Sequence, residues 1–527
     1  MNWIKIGQFI GFFACITLCL GLKPGFAESN VKKAVVKIYT VYNAYSYHNP
    51  WQMKGQKSFH GSGCIISDNR ILTNAHVVSD QIFIEVRRAG KAKRYTARVE
   101  AVAHESDLAI LKVDDKEFFR GVEPVAIGSL SKIRNRVAVY GFPDGGDKLS
   151  VTEGIVSRVE HVNFAHSRSY LLACQIDAPV NSGNSGGPVI KDDKIVGVAF
   201  QGMAGGKFDN IGYMVSPPVI RHFLKDIQDG RHDGTPSLGV SMQKLENPGM
   251  RLSLQMKNKH TGVLVNKVYP DSPVVGKIRR GDVILSIDGI NVANDGTIEF
   301  REGERTFFGY LMQKKYINDQ VLLQILRQGQ PMTVDIALTQ PVDFDRLVPH
   351  MQHDRPPTYF IYGGLVFEPL TLNYLKEFGD ESNWYLYAPA ELMHYYLNGE
   401  PSDERRELVI LTEVLADSAN IGFHKFGNNI IKEVNNKNIS KIEDVIHAIV
   451  DHDGEYNTFT DSKGFTIVLN REIAKQSIKR ILKKYKIKSD RSDDLMSVKG
   501  SSKNKLDNIA LRFRSDWADC EVTKPQD

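Results

Sequence analysis

Asn181-Ser182-Gly183-Asn184-Ser185-Gly186-Gly187-Pro188 lies between two short apolar runs that read as strands. A serine hydroxyl is a weak nucleophile. A reactive one needs a turn that presents its Oγ and leaves backbone N–H groups free to meet a developing oxyanion. Gly183, Gly186 and Gly187 suit such a turn, because glycine takes positive φ and lets another backbone approach closely. An ordinary Gly/Ser/Asn loop between strands has the same composition, so the reading depends on whether a base and its orienting acid occur elsewhere.

Working outward, Ile71-Leu72-Thr73-Asn74-Ala75-His76-Val77-Val78 places a histidine at the end of an apolar run, and Ser106-Asp107-Leu108-Ala109-Ile110-Leu111 puts an aspartate at the head of another. The resulting order, His76, Asp107, Ser185, is that of the chymotrypsin-type double barrel and differs from those of subtilisins and α/β-hydrolases.

Together with Gly61-Ser62-Gly63-Cys64-Ile65-Ile66, these blocks resemble the HtrA/Deg family of serine proteases. The resemblance implies that His76 takes the Ser185 proton, that Asp107 orients the imidazole, and that the N–H groups of Gly183 and Ser185 form the oxyanion hole. It also places the primary specificity pocket around Val180, Phe200, Tyr213 and Met214. No acid stands among these residues, so cleavage after small or medium apolar residues is expected. Such residues are buried in folded proteins, which favours unfolded chains as substrates. In this family an aromatic segment ahead of the first barrel strands builds a trimer contact; Tyr45, Tyr47 and Trp51 are placed to do so, or to cover the barrel edge.

The 527 residues exceed what one core organises and suggest about three domains. Apolar residues make up 42% and charged residues 24%, and the net charge of +5 is mild for this length, which argues against nucleic acid as the main partner. Residues 1–27 read as a signal peptide: an apolar stretch from Ile6 to Leu22 is followed by the small residues of Gly25-Phe26-Ala27. An uncleaved anchor is the alternative. A cleaved signal implies an exported chain, periplasmic or secreted, with no stable membrane insertion. Past the signal, Cys64, Cys174 and Cys520 remain; this odd number implies no disulfide framework. No CxxC or HxxxH spacing occurs, so no metal site and no cofactor are expected.

Residues 28–230 are assigned to the protease domain, which closes with a helical pattern over Ile220 to Gln228. Ser237-Leu238-Gly239-Val240 resembles the carboxylate-binding loop of PDZ domains, and Gly281-Asp282-Val283-Ile284 continues that pattern, giving a first PDZ domain over 231–341 with Leu238, Gly239 and Val240 at its peptide site. PDZ domains add a peptide as an extra strand and hold its C-terminal carboxylate on backbone N–H groups. A divergent second copy is expected over 342–488. There Tyr362-Gly363-Gly364-Leu365 could be another carboxylate loop, but asparagines replace the Gly-Asp of the first copy and residues 377–406 interrupt it. This layout is most similar to plant Deg proteases, whose second PDZ domain serves assembly. The basic run from Lys479 to Lys488 reads as a solvated helix face or an anionic contact, and 489–527 as a disordered tail.

The expected fold is therefore mostly β, a chymotrypsin-like double β-barrel followed by two PDZ-like α+β domains. The expected function is an ATP-independent endopeptidase that degrades misfolded proteins, captures C-terminal peptides on its PDZ domains and assembles as a homo-oligomer, a trimer or a multiple of trimers. A chaperone or scaffold that binds unfolded chains with little proteolysis, or a regulatory protease that processes one partner, fits the same motifs.

Overall fold

The computed structural model describes residues 30–144, 146–203, 211–342, 344–380 and 382–499, so the proposed signal peptide and most of the proposed tail lie outside the described residues. Six short strands close a first barrel: β1 (Val35–Tyr42), β2 (Lys57–Ile66), β3 (Arg70–Thr73), β4 (Gln81–Arg88), β5 (Tyr95–Ala103) and β6 (Leu108–Lys112). A second barrel is formed by β7 (Arg136–Gly141), β8 (Ser150–Asn163), β9 (Tyr170–Ile176), β10 (Pro188–Lys191), β11 (Lys194–Met203) and β12 (Ile211–Val215). Closure leaves neither sheet with a free edge.

The sequence explains how the two barrels come together. β2 is exposed at its start and buried along its whole second half, because Gly61 and Gly63 allow neighbours to approach where other strands carry side chains. A Cβ on Gly61 would lie 2.8 Å from Val77 and 3.2 Å from the Ser185 carbonyl; one on Gly63 would lie 2.9 Å from Ile71. The free thiols Cys64 and Cys174 are buried in opposite barrels and pack as small apolar groups, each with its pKa pushed up by burial.

Residues 231–341 form an antiparallel sheet that begins with β13 (Val240–Lys244), β14 (Val263–Val268) and β15 (Val283–Ile287) and continues through Gln320–Arg327 and Gln330–Ala337. Its side chains join the barrel core in one continuous apolar cluster. Arg301 donates to the Ser131 carbonyl at 3.0 Å, His161 Nδ1 lies 2.9 Å from Thr306 Oγ1, and Phe307 meets Tyr170 edge-on.

A third sheet runs in the order Phe360–Tyr362, Leu365–Pro369, Val409–Val414, Asn429–Val434, Tyr456–Asp461 and Thr466–Asn470, covered by helices Ile442–Val450 and Arg471–Tyr485. Two expectations are corrected here. The Gly363-Gly364 step is the two-residue turn of a hairpin in which Tyr362 pairs with Leu365. The Asn420 amide fills its concave side and donates to the Gly363 and Leu415 carbonyls, both at 2.8 Å. A carboxylate would meet a protein side chain there. The tail also begins later than expected: Leu495 is buried in the core of this domain, and Arg491 lies over Phe360. The charged residues of 489–499 conceal the single leucine that docks the segment. Of the basic run, Arg480 forks onto Asp417 and Lys484 donates to the Ala416 carbonyl, while Ile481 and Ile487 face inward.

The aromatic segment packs inside the chain. Tyr47 is buried among Leu347, Leu372 and Tyr374, its N–H donates to Glu377, and Trp51 meets Tyr359 edge-on. Tyr47 and Trp51 thus pack against residues of the second PDZ domain, a contact that neither expected role, trimer contact or barrel-edge cover, included.

Candidate active site

Strand pairing brings the first two candidates together. Thr73, the last residue of β3, pairs with Ala109 near the start of β6. The turn after β3 carries His76 and the residue before β6 is Asp107, so the register sets the two side by side. Asp107 is buried with φ of 52°, a left-handed conformation that aspartate tolerates better than most residues. Its carboxylate accepts from the His76 backbone N–H at 2.9 Å and lies 2.8 Å and 3.0 Å from His76 Nδ1. The Asn74 amide donates to the Asp107 carbonyl at 2.8 Å and closes the loop. A carboxylate only accepts, so Nδ1 carries the proton and the Nε2 lone pair is left for a substrate-side group. Burial opposes the charged imidazolium, but the charge and hydrogen bond of Asp107 outweigh it and hold the His76 pKa above its ordinary 6.5.

Ser185 sits between β9 and β10, on the other barrel, and its turn is fixed from the first barrel by Ser62. Three bonds run through this one buried residue: its N–H donates to the Ser185 carbonyl at 2.8 Å, its Oγ donates to the Gly183 carbonyl at 2.7 Å, and the same Oγ accepts from the Phe142 N–H at 2.9 Å. Gly183 and Gly186 have φ of 87° and 83°. At Gly186 a Cβ would lie 2.1 Å from the Ser62 carbonyl oxygen and 2.2 Å from Thr73 Oγ1, so the turn and the opposite barrel touch backbone to backbone.

The Asp144 N–H donates to the Ser182 carbonyl at 2.9 Å and so fixes the plane of the peptide carrying the Gly183 N–H. Among the described residues, the Gly183 and Ser185 N–H groups donate to no protein acceptor, and no hydrogen bond joins Ser185 to His76. Catalytic hydrogen bonds commonly tighten only once substrate is bound. The arrangement holds the elements of acyl transfer: an oriented imidazole on one barrel and, on the other, a serine turn with two N–H groups that donate to no described acceptor.

Ser62 was missed by sequence reasoning, although Gly61 and Gly63 on either side were the signal for a close backbone approach. Ser62→Ala leaves the Gly183 carbonyl and the Phe142 N–H without their partner, a loss of about 1–3 kcal/mol. The expected result is a fall of about 10- to 100-fold in kcat/KM, measured on a chromogenic peptide.

The pocket expectation needs correction at one position. Tyr213 and Met214 are adjacent on β12 and so point to opposite faces. Met214 is wholly buried against Gly197, where a Cβ would lie 2.4 Å from its Sδ, and it belongs to the barrel interior. Phe200 is also buried, stacked on Phe164 at 4.4 Å. Val180 is half-buried beside Gly212.

In the first PDZ domain Leu238 is buried and Gly239 has φ of 64°. β13, which begins at Val240, is an edge strand that among the described residues pairs with β14 alone. A Cβ on Gly239 would lie 2.5 Å from the ring of Phe344, so the segment that follows the domain rests against the loop.

The fold and this site define a serine endopeptidase carrying two PDZ domains. Residues 61–198 match the trypsin-like peptidase domain family, and residues 236–338 and 348–494 each match a PDZ domain family. The chain is 37% identical over 474 residues to the putative mitochondrial protease Do-like 3 of Arabidopsis thaliana, an alignment covering 90% of this chain and 82% of that protein. It is equally 37% identical over 472 residues to the chloroplastic protease Do-like 2 of the same plant, covering 89% and 76%. Among solved structures, an HtrA-type protease, AlgW with decapeptide, aligns with a TM-score of 0.46 and 25% identity, covering 59% of this chain and 96% of that one. The chain belongs to the Do-like (HtrA/Deg) serine proteases.

Relatives named as mitochondrial or chloroplastic overturn the expected periplasmic or secreted location. An apolar leader reports that a segment can engage a membrane-bound targeting machinery, but its hydropathy does not specify which compartment is reached.

Proposed function

We propose that this chain is an ATP-independent endopeptidase that removes misfolded proteins, with Ser185 as nucleophile, His76 as general base, Asp107 as its orienting acid, and the Gly183 and Ser185 N–H groups as the oxyanion hole. The observation that carries this reading is Ser62, which fastens the serine turn to the barrel bearing His76 and Asp107. The lack of any carboxylate among Val180, Phe200 and Tyr213 supports cleavage after small or medium apolar residues. The unpaired edge of β13 supports capture of an extended C-terminal peptide.

A homo-oligomer, a trimer or a multiple of trimers, is part of the proposal. Met53, Ile82 and Phe83 stand exposed near the end of β1 and support it as an apolar contact. Light scattering tests the assembly, and a mass equal to one chain refutes it.

The experiment for the whole reading presents one globular substrate in native and in reduced, unfolded form, without nucleotide. Cleavage of the unfolded form alone, after apolar residues, is expected. Equal cleavage of both forms excludes the quality-control role, and cleavage of a single folded partner only points to a processing enzyme.

A further inference from the structure

Three histidines that are far apart in sequence meet beside the candidate active site. His104 directly follows β5, His166 lies in the turn between β8 and β9, and His353 lies at the start of the second PDZ domain, ahead of its first strand Phe360–Tyr362. One ring nitrogen from each lies within 4.8 Å of the other two. His104 Nδ1 is 2.9 Å from His166 Nε2, and the His353 ring stacks on both partners, with centroids at 4.3 Å from His166 and 4.8 Å from His104. We propose that His104, His166 and His353 form a binding site for a divalent first-row cation of the zinc type, which would clamp the start of the second PDZ domain to both barrels.

The proton assignments favour ligation. His104 Nε2 lies 2.9 Å from Asp354 Oδ2, and a carboxylate only accepts, so Nε2 carries the proton and Nδ1 turns its lone pair toward the cluster. Both ring nitrogens of His353 are buried, and among the described residues neither lies within hydrogen-bond distance of a partner; its Nδ1 faces Asp80 Oδ2 at 3.7 Å. Each of these two rings thus has a carboxylate on its outer side, the arrangement that orients and strengthens metal-bound imidazoles. The carboxylates are themselves locked: the Asp80 N–H donates to Asp354 at 2.6 Å and the Asp354 N–H to Asp80 at 2.8 Å.

His166 now donates its Nε2 proton to His104. Transfer of that proton to Nδ1 frees the second lone pair, and the cation takes the place of the hydrogen between the two rings. Tetrahedral zinc holds nitrogens at about 2.0–2.1 Å. The His104 and His166 nitrogens must therefore part slightly, and the stacked His353 ring must fan out to meet the ion. Three imidazoles leave a fourth position for water, and imidazole suits zinc, copper and nickel better than hard cations. The short spacings that sequence reading looks for are absent here, because the site is assembled from both barrels and the second PDZ domain.

The test uses metal-free full-length protein loaded with Zn²⁺ and then desalted. Retention is read by atomic absorption and the melting temperature by calorimetry. Wild type and Ser185→Ala are expected to retain a single zinc ion per chain and to melt higher when loaded, because a ligand that binds only the folded state stabilises it. His353→Gln, whose metal-free circular dichroism should match wild type, is expected to bind at least tenfold more weakly and to lose the thermal shift. Asp354→Asn should weaken binding by about 10- to 100-fold. Zinc retention by wild type no greater than that of the His104→Gln/His353→Gln double variant overturns the site, as does undiminished binding by both single variants. Ser185→Ala separates this result from proteolysis, because binding does not require an active nucleophile.

Discussion

Ser185→Ala is expected to lower kcat on the order of 10⁶-fold, to the background set by substrate binding and backbone donors. Casein incubated with this variant should stay intact while wild type degrades it. The expectation rests on division of labour: the turn, its two N–H groups and the Ser62 bonds persist in the variant, and only the atom that attacks is gone. His76→Ala should cost about as much, and the double variant little more, because residues that act as one unit lose their effect together. Additive losses would show that the two side chains do not cooperate. Equal casein loss with wild type and with Ser185→Ala would remove the nucleophile assignment.

Asp107→Asn is expected to lower kcat by about 10⁴-fold, as loss of the orienting acid does in this geometry. Asp107 accepts from both the backbone and the ring of His76, so the carboxylate fixes the position and the tautomer of the base. An asparagine amide can instead donate to Nδ1, which moves the ring proton to Nε2, the atom that has to accept from Ser185. The pH dependence has a definite sign. His76 works as a neutral base and its pKa is raised, so the acid limb of kcat/KM for wild type lies above pH 6.5. Removing the carboxylate leaves burial to act alone, and the limb of the residual activity should move to lower pH. A limb that stays in place would show that another group sets it. The same pair contributes stability that is fully present below about pH 6.5, the ordinary histidine value, and is lost as pH rises through the raised one.

The parts of the fold legible in the sequence are those encoded by adjacent residues. The glycine-rich turn around Ser185, the apolar runs that carry His76 and Asp107, and the Leu238-Gly239-Val240 loop each announce themselves within eight residues. Contacts made across the chain were not legible. Ser62 looks like any strand serine until the second barrel closes on it. Met214 and Tyr213 were both placed in a pocket, although adjacent strand residues face opposite ways and only packing decides which side faces Gly197. Nothing in the sequence around Tyr47 showed that Leu347, Leu372 and Tyr374, some 300 residues on, would bury it, and Leu495 was lost among charged neighbours. His104, His166 and His353 are separated by 62 and 187 residues, and only the docking of the two barrels and of the second PDZ domain brings them together.

The Ser62 connection has a consequence for engineering the chain. The nucleophile is borne by the second half of the protease domain, yet two of the groups that hold its turn belong to a strand of the first half. A protein divided in the connection between β6 and β7 would therefore yield two silent fragments, each with an incomplete site. Regained peptidase activity would report their reunion, so this domain is suited to service as a split reporter.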